Sequence, residues 1–474
     1  MTSTSHNSAF LWRLTLVATL GGLLFGYDTA VISGTVSSLE QFFVLPFGLP
    51  EMASNARLGF LVSSALIGCI LGGVSGGYIS RKLGRKNGLI LAAVLFLISA
   101  IGSSAPELFI KPIGEGDHTF MYFFIVYRII GGVGVGLASM LSPLYIAEIA
   151  PAENRGRLVS MNQFAIVLGM LIVYFVNYYI SSLGNDEWLS AIGWRWMFAS
   201  EIIPASLFLF FLLFVPDTPR SLVLKSKPAQ ALSVLVRVNG ETQAKVILAE
   251  IKNTVTANSG KLFSYGVPII IFGILLSVFQ QFVGINVVLY YAPEIFKSMG
   301  SGTDTALLQT IIVGAINLLF TVLAMQTVDK FGRKPLMIIG ALAMAIAMFA
   351  LGTSFFMHSL GLFSLICMLV YVAGFAMSWG PVTWVLLSEI FPNNIRGKAL
   401  AIAVACQWIA NYLVSWTFPM LDKNSYLIEQ FNHGFAYWIY GLMGVLAAIF
   451  VWKFIPETKG KTLEDMNDLW SKKE

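Results

Sequence analysis

Apolar runs of about twenty residues, the length that lets an α-helix cross a bilayer, follow one another along almost the whole chain. They fall near residues 10–36, 57–79, 88–105, 119–148, 158–182 and 194–215, and again near 265–299, 305–328, 336–357, 360–390, 399–421 and 433–455. This pattern predicts an all-α polytopic membrane protein with twelve spans in two sets of six. Between the sets lies a polar stretch, residues 216–264, rich in Lys, Arg and Glu. Its apolar residues recur at helical spacing (Ala231, Leu232, Val234 and Leu235, then Val246, Ile247 and Ile251), which predicts short amphipathic helices at a surface. Residues 456–474 form a polar tail.

The two sets repeat each other. Arg81-Lys82-Leu83-Gly84-Arg85-Lys86 matches Asp329-Lys330-Phe331-Gly332-Arg333-Lys334, with Gly84 and Gly332 248 positions apart. Glu148-Ile149-Ala150-Pro151 followed by Arg155-Gly156-Arg157 matches Glu389-Ile390-Phe391-Pro392 followed by Arg396-Gly397-Lys398. Pro216-Asp217-Thr218 matches Pro456-Glu457-Thr458. Three collinear matches predict a six-helix bundle over 1–215, a linker over 216–264 and a second bundle over 265–455. Such parallel repeats characterise one large transporter class, whose site lies at the repeat interface near mid-membrane.

The loops orient the chain. Arg81, Lys82, Arg85 and Lys86, then Arg155 and Arg157, then Lys330, Arg333 and Lys334, then Arg396 and Lys398 fall in every second loop. The alternate loops hold Glu40, Glu51, Glu107, Glu115, Asp117, Asp186 and Glu187. The positive-inside rule then puts both termini and the linker in the cytoplasm. Composition agrees with this class: 57% of residues are hydrophobic and 12% charged, against about 25% charged in soluble domains. The net charge of +5 resides in those loops and implies no nucleic acid. Cys69, Cys367 and Cys406 all fall in apolar runs and read as small buried hydrophobes rather than a disulfide framework. Met1 to Ser8 leads into the first span without a cleavable signal pattern.

Candidate chemistry begins with Gln280-Gln281-Phe282-Val283-Gly284-Ile285-Asn286, running on to Tyr290-Tyr291, inside an apolar run. Each unpartnered amide in hydrocarbon costs about 2–7 kcal/mol. Gly284 weakens the helix, and Pro293 follows. Irregular backbone at membrane depth is tolerated only against protein or a water-filled cavity. Amides and tyrosines without charges suit a neutral polyhydroxy ligand; the competing reading is that they stitch helices together.

The spans of the first set hold few ionisable residues at depth: Asp28, Arg128 and Glu201. Their distances from the outer helix ends match to within a few ångströms at about 1.5 Å per residue. Buried charges need partners, so Asp28 and Glu201 are expected around Arg128. Two acids competing for one guanidinium favour protonation of one of them, which makes a proton-coupling site; the alternative is a static ion pair. The histidines, His6, His118, His358 and His433, lie in loops or at span ends. Further polar positions complete the candidate cavity. Gln163 and Met170 share a face of the fifth span, and Asn317 lies inside the eighth. Trp379 precedes the helix-bending Gly380-Pro381, and Gln407 and Asn411 share a face of the eleventh span beside Trp408. The run Gly131-Gly132-Val133-Gly134-Val135-Gly136 follows no strand, so it is no nucleotide loop; Gly132 and Gly136, like Gly72 and Gly76, fit close helix packing. No nucleophile–base, metal or P-loop pattern occurs, so neither an enzyme nor a cofactor or metal is expected.

Taken together, the chain resembles the sugar porter family of the major facilitator superfamily over essentially its whole length. The carrying motifs are Gly84-Arg85-Lys86, Gly332-Arg333-Lys334, Pro216-Asp217-Thr218-Pro219-Arg220, Gln280 to Asn286 and Pro456-Glu457-Thr458-Lys459-Gly460. Gly21 to Gly34 and Ser378-Trp379-Gly380-Pro381-Val382 resemble its bacterial proton-coupled D-xylose carriers. The resemblance implies that Gln163, Gln280, Gln281, Asn286, Trp379 and Gln407 bind sugar hydroxyls, with Tyr290, Asn317 and Trp408 lining the cavity. It implies a proton site at Asp28 paired with Arg128, and gating contacts through Arg85, Glu148, Arg155, Asp329, Arg333, Glu389 and Arg396. Facilitative relatives carry an uncharged residue at the Asp28 position. The implied function is import of a monosaccharide, D-xylose first, by proton symport across a bacterial inner membrane, by a monomer that needs only sugar, protons and bilayer. A facilitative or broader hexose carrier is the alternative. Two departures stand out: Arg81 replaces a usual acid, and Met170 replaces the glutamine of the xylose carriers.

Overall fold

The computed structural model describes residues 8–151, 154–255, 262–392 and 395–459. Helices make up the ordered elements, and no strand occurs among the described residues. Eleven helical segments are long and apolar enough to cross a membrane. One of them, Glu51–Ser104, runs for 54 residues, about 80 Å at 1.5 Å per residue and far more than one bilayer core of about 30 Å. At Gly84 its backbone leaves the helix (φ 83°, ψ 177°), a conformation open to glycine and strained for other residues. This segment is therefore the expected second and third spans joined end to end, and twelve crossings result.

In chain order the spans are Ser8–Val31; 51–83; 85–104; Met121–Ile149; Arg155–Ser181; 186–213; Val267–Ser298; Thr303–Phe331; Arg333–Phe356; Leu362–Ile390; Arg396–Asp422; and Gly434–Phe454. Several helices outrun the apolar stretches that announced them. The second starts at Glu51 rather than near 57, because helical hydrogen bonding continues into the interface once a span is nucleated. The linker forms three short helices, Pro219–Leu224, Pro228–Asn239 and Glu241–Val255. In the second, Ala231, Val234 and Leu235 are buried as the spacing required. In the third, Ile247 and Ile251 are half-buried on one side with Ala244, which is buried, and Leu248, which packs on Leu222, Ala231 and Val234; Val246 falls outside that side and is 50% exposed. Residues 256–261 of the linker and 460–474 of the tail lie outside the described residues.

The second and fourth spans pack backbone to backbone. A Cβ on Gly132 would fall 1.8 Å from the Ala65 carbonyl, and one on Gly72 2.3 Å from that of Val133. Gly68 and Gly136 make similar approaches, whereas Gly76 meets the Met140 side chain. Between the two sets, the second span packs along the eleventh and the fifth along the eighth.

The three repeated motifs converge on one construction in each set. After Gly84, the amides of Arg85 and Lys86 both donate to Asp217 Oδ1 at 3.1 Å. After Gly332 (φ 88°), the amides of Arg333 and Lys334 donate to the two oxygens of Glu457 at 3.1 and 3.0 Å. A distant carboxylate thus satisfies the orphan donors at each helix start and complements its dipole. Arg85 pairs with Glu148 at 2.7 Å and Arg333 with Glu389 at 2.9 Å. Thr218 and Thr458 hydroxyls close each cluster on the same glutamates. Burial alone would raise the Asp217 carboxyl, but hydrogen bonds from Lys225, Ser221 and the Lys86 amide outweigh it and hold the group below the usual carboxylate range. Of the other expected gating residues, Arg155 is exposed, and Arg396 donates through Nε to the Phe391 carbonyl at 3.2 Å, within its own segment. The Asp329 side chain lies outside the described residues.

Candidate functional site

The seventh span breaks where its sequence weakens it. Helix Val267–Phe282 ends and Ile285–Ser298 begins around Gly284, at φ 92° and ψ 14°. Breaking a helix inside a membrane strands backbone carbonyls, and two tyrosines take them up. Tyr371 donates to the Val283 carbonyl at 2.7 Å. Tyr174 of the fifth span donates to the Leu289 carbonyl at 2.9 Å, the acceptor that Pro293 cannot serve because it has no N–H. The tenth span breaks at Ser378 (φ −133°, ψ −89°), ahead of Pro381. The Trp379 carbonyl, at the start of the following helix, receives Gln280 Nε2 at 2.8 Å and the Thr383 hydroxyl at 2.8 Å.

Around these two breaks the amides join into a chain. Gln407 Nε2 donates to Gln280 Oε1 at 2.6 Å, Gln281 Nε2 donates to the same oxygen at 3.3 Å, and Asn286 Nδ2 donates to Gln281 Oε1 at 2.6 Å. Beside it, Asn411 Nδ2 donates to Tyr290 Oη at 3.5 Å, and Asn411 Oδ1 accepts from the Ser415 hydroxyl at 3.1 Å. So far this satisfies the stitching reading. Two atoms do not fit it: Gln407 Oε1 and Trp408 Nε1 are buried and have no partner. One is an acceptor and the other a donor, and a hydroxyl group serves both. The Trp408 ring lies 5.6 Å from that of Phe25 in the first span, so the cluster faces the other set. Asn317 and Met170 are buried and Gln163 is half-buried. The Trp379 indole N–H is taken by the Met337 carbonyl at 2.9 Å, which leaves that residue its ring face.

The expected charge cluster also assembles. Arg128 Nη1 donates to Asp28 Oδ1 at 2.7 Å and Nη2 to the Asp28 carbonyl at 3.1 Å, both side chains being at most 1% exposed. The guanidinium carbon lies 5.3 Å from the centre of the Phe198 ring. Glu201 is fully buried within electrostatic reach of both and beside the Asp28 carboxyl, with which it can share a hydrogen bond only when one of the two is protonated; neither of its oxygens, nor Asp28 Oδ2, meets any other donor. Tyr290 lies within electrostatic reach of Asp28 and Arg128 and accepts from Asn411.

Opposite the termini, bonds join the two sets. Ser37 donates to Glu294 Oε1 at 2.8 Å and receives Lys297 Nζ at 2.8 Å. Lys423 pairs with Glu40, the Ser425 amide donates to Glu51 at 2.6 Å, and Thr303 donates to Asp186 at 3.1 Å. None of these, nor the roles of Tyr174, Tyr371, Asp217 and Glu457, was read from the sequence. Pro293 was the available signal for Tyr174, since a proline inside a span demands a donor from elsewhere. The inter-set pairs are separated by 117 to 383 residues and have no local signature.

The sequence matches the family model for "Sugar (and other) transporter" over residues 14–470. It is 62% identical to the D-xylose-proton symporter of Escherichia coli (strain K12), an alignment covering 99% of this chain and 97% of that protein. The fold superimposes on the inward open conformation of the xylose transporter from E. coli with a TM-score of 0.89 at 60% identity, covering 97% of this chain and 100% of that one. For the major facilitator superfamily proton:xylose symporter bound to 6-bromo-6-deoxy-D-glucose the score is 0.85 at 62% identity, covering 98% and 100%. With its twelve crossings, duplicated motif clusters and two interrupted helices, the chain belongs to the sugar transporter family of the major facilitator superfamily and is a multi-pass membrane transporter.

Proposed function

We propose that the protein imports a monosaccharide, D-xylose first, by proton symport through alternating access. The observation that carries this reading is the pair of buried, unpartnered polar atoms at the amide chain, Gln407 Oε1 and Trp408 Nε1, in a molecule that also buries the Asp28–Arg128 ion pair beside a second acid, Glu201. The 62% identity to a protein described as a D-xylose-proton symporter supports the same substrates here. In this reading Gln280, Gln281, Asn286 and Gln407 exchange their mutual hydrogen bonds for sugar hydroxyls, and Gln163 binds a hydroxyl from the fifth span. Trp379, Trp408, Tyr290, Asn317 and Met170 wall the cavity. Asp28 binds the transported proton, Arg128 holds the deprotonated carboxylate, and Glu201 is the second acid that makes one proton between them favourable. Tyr290, in reach of both groups, links sugar occupancy to the charge state of the pair.

The two sets act as six-helix bodies, 1–215 and 265–455, joined by the linker. The bonds opposite the termini hold that entrance shut, so the cavity opens toward the termini. The Lys/Arg-rich loops put that side in the cytoplasm, with the chain in a bacterial inner membrane. The clusters built on Arg85, Glu148, Arg333 and Glu389, with Arg155, Asp329 and Arg396 beside them, rigidify the cytoplasmic gate. The protein works as a monomer.

The test is uptake into proteoliposomes, with and without an inward proton gradient, against a panel of pentoses and hexoses. Wild type accumulates xylose only with the gradient. Asp28→Asn loses accumulation while still binding sugar. Full accumulation by the variant rejects Asp28 as the proton site, and gradient-independent equilibration by wild type selects the facilitative reading.

A further inference from the structure

Away from the polar interior, a groove of about 560 Å³ opens between the first, fifth and sixth spans at their termini-side ends. Its floor is apolar, with Leu20, Phe164, Leu168 and Phe214 among the lining residues. On the fifth span Met161, Phe164, Ala165 and Leu168 form the face that lines it, and Gln163 and Met170 lie on the opposite side of that helix. The groove therefore looks outward, away from the sugar cavity. Leu16, Phe211 and Phe214 around it are 53%, 42% and 70% exposed, as lipid-facing residues are.

The chemistry at its mouth differs from that of a bare lipid-facing crevice. Two exposed arginines line it, Arg13 from the first span and Arg237 from the linker helix Pro228–Asn239, and among the described residues no acidic one does. The Arg237 guanidinium carbon sits 3.9 Å from the centre of the Phe10 ring, which fixes its position over the groove. Two like charges above a hydrocarbon slot, with no carboxylate to balance them, are complementary to a molecule carrying an anion at one end and an alkyl chain at the other. Guanidinium forks match phosphate oxygens, and basic pockets between spans at a membrane surface hold anionic headgroups.

We propose that this groove binds an anionic phospholipid of the termini-side leaflet. One acyl chain occupies the slot and the headgroup phosphate lies between Arg13 and Arg237, tying the linker helix to the span that carries Asp28. The proposal does not depend on which sugar is carried.

The test is native mass spectrometry of the full-length protein equilibrated with equal amounts of phosphatidylglycerol and phosphatidylcholine bearing the same chains. Wild type should retain phosphatidylglycerol in preference by roughly tenfold. The Arg13→Gln/Arg237→Gln variant should lose the preference, and the corresponding double Lys variant should keep part of it. Leu168→Trp, which fills the slot and leaves both arginines, should also lower retention. Glycerol phosphate and inorganic phosphate, which lack the chain, should not displace the lipid. Undiminished preference in the Gln variant, insensitivity to Leu168→Trp, or displacement by inorganic phosphate each overturns the proposal. If the double variant does not elute as a monodisperse protein, the single Arg237→Gln variant carries the test, with an intermediate loss expected.

Discussion

Gln281 shows how one side chain can serve the empty and the occupied site. In the structure its amide donates to Gln280 Oε1 at 3.3 Å and its oxygen accepts from Asn286 at 2.6 Å. Replacing it with alanine removes a partner from Asn286 and from the sugar, so binding should weaken by about 1–3 kcal/mol. Calorimetry on the folded variant checks this, and unchanged affinity would assign Gln281 to helix stitching alone. Met170 poses the opposite question. It is 8% exposed on the Gln163 side of the fifth span. A thioether is a weak acceptor and a flexible filler, so it should yield to the extra hydroxymethyl group of a hexose. Discrimination by a small group at an apolar wall amounts to about 1–3 kcal/mol. Met170→Gln should therefore sharpen discrimination between xylose and glucose modestly. Competition of glucose against labelled xylose uptake measures it, and identical inhibition constants in the two proteins would remove Met170 from selectivity.

Helices in this protein begin and break under long-range instruction. The third span starts at Gly84 because glycine turns the backbone there, but its exposed amides are satisfied by Asp217, which lies 132 residues from Arg85. Asp217→Asn removes the charge that complements these donors and Lys225, and should destabilise the protein by about 1–3 kcal/mol. The acid limb of the stability profile gives a second measurement. Because the folded carboxyl sits below its ordinary range, its contribution is complete above about pH 4 and is lost as pH falls through the depressed value. Wild type should lose stability across that interval, and the Asn variant should show a correspondingly smaller loss. Thermal unfolding in detergent from pH 6 downward distinguishes the two. The breaks in the seventh and tenth spans follow the same logic: glycine and proline open the helix, and Tyr371, Tyr174 and Gln280 bond carbonyls beside the breaks from other spans.

For the whole molecule, the proposed arrangement puts the loop at Ser182 and the linker helix at Ser233 on opposite sides of the membrane. Both residues are exposed. Cysteines introduced singly at these positions should react with a membrane-impermeant maleimide from opposite faces, after subtraction of the native Cys69, Cys367 and Cys406 background. Labelling from the same face would sink the orientation and the bundle assignment together.

At this scale the division between sequence and structure has a physical basis. Span number, repeat and class were legible because a bilayer imposes length and hydropathy on each segment separately, and no neighbour is needed to read them. The Asp28–Arg128 pair was legible for a related reason: ionisable residues at depth are so costly that the few present must find one another. The amide positions were legible as polar residues in an apolar run, but not their order of bonding. That Gln280 would bridge Gln407 and the Trp379 carbonyl depends on how three spans cross. The carboxylates at the two helix starts and the bonds that join the two sets opposite the termini were likewise decided by packing. Each joins groups far apart in the chain, and the free energy of such a contact exists only once the helices have been brought together.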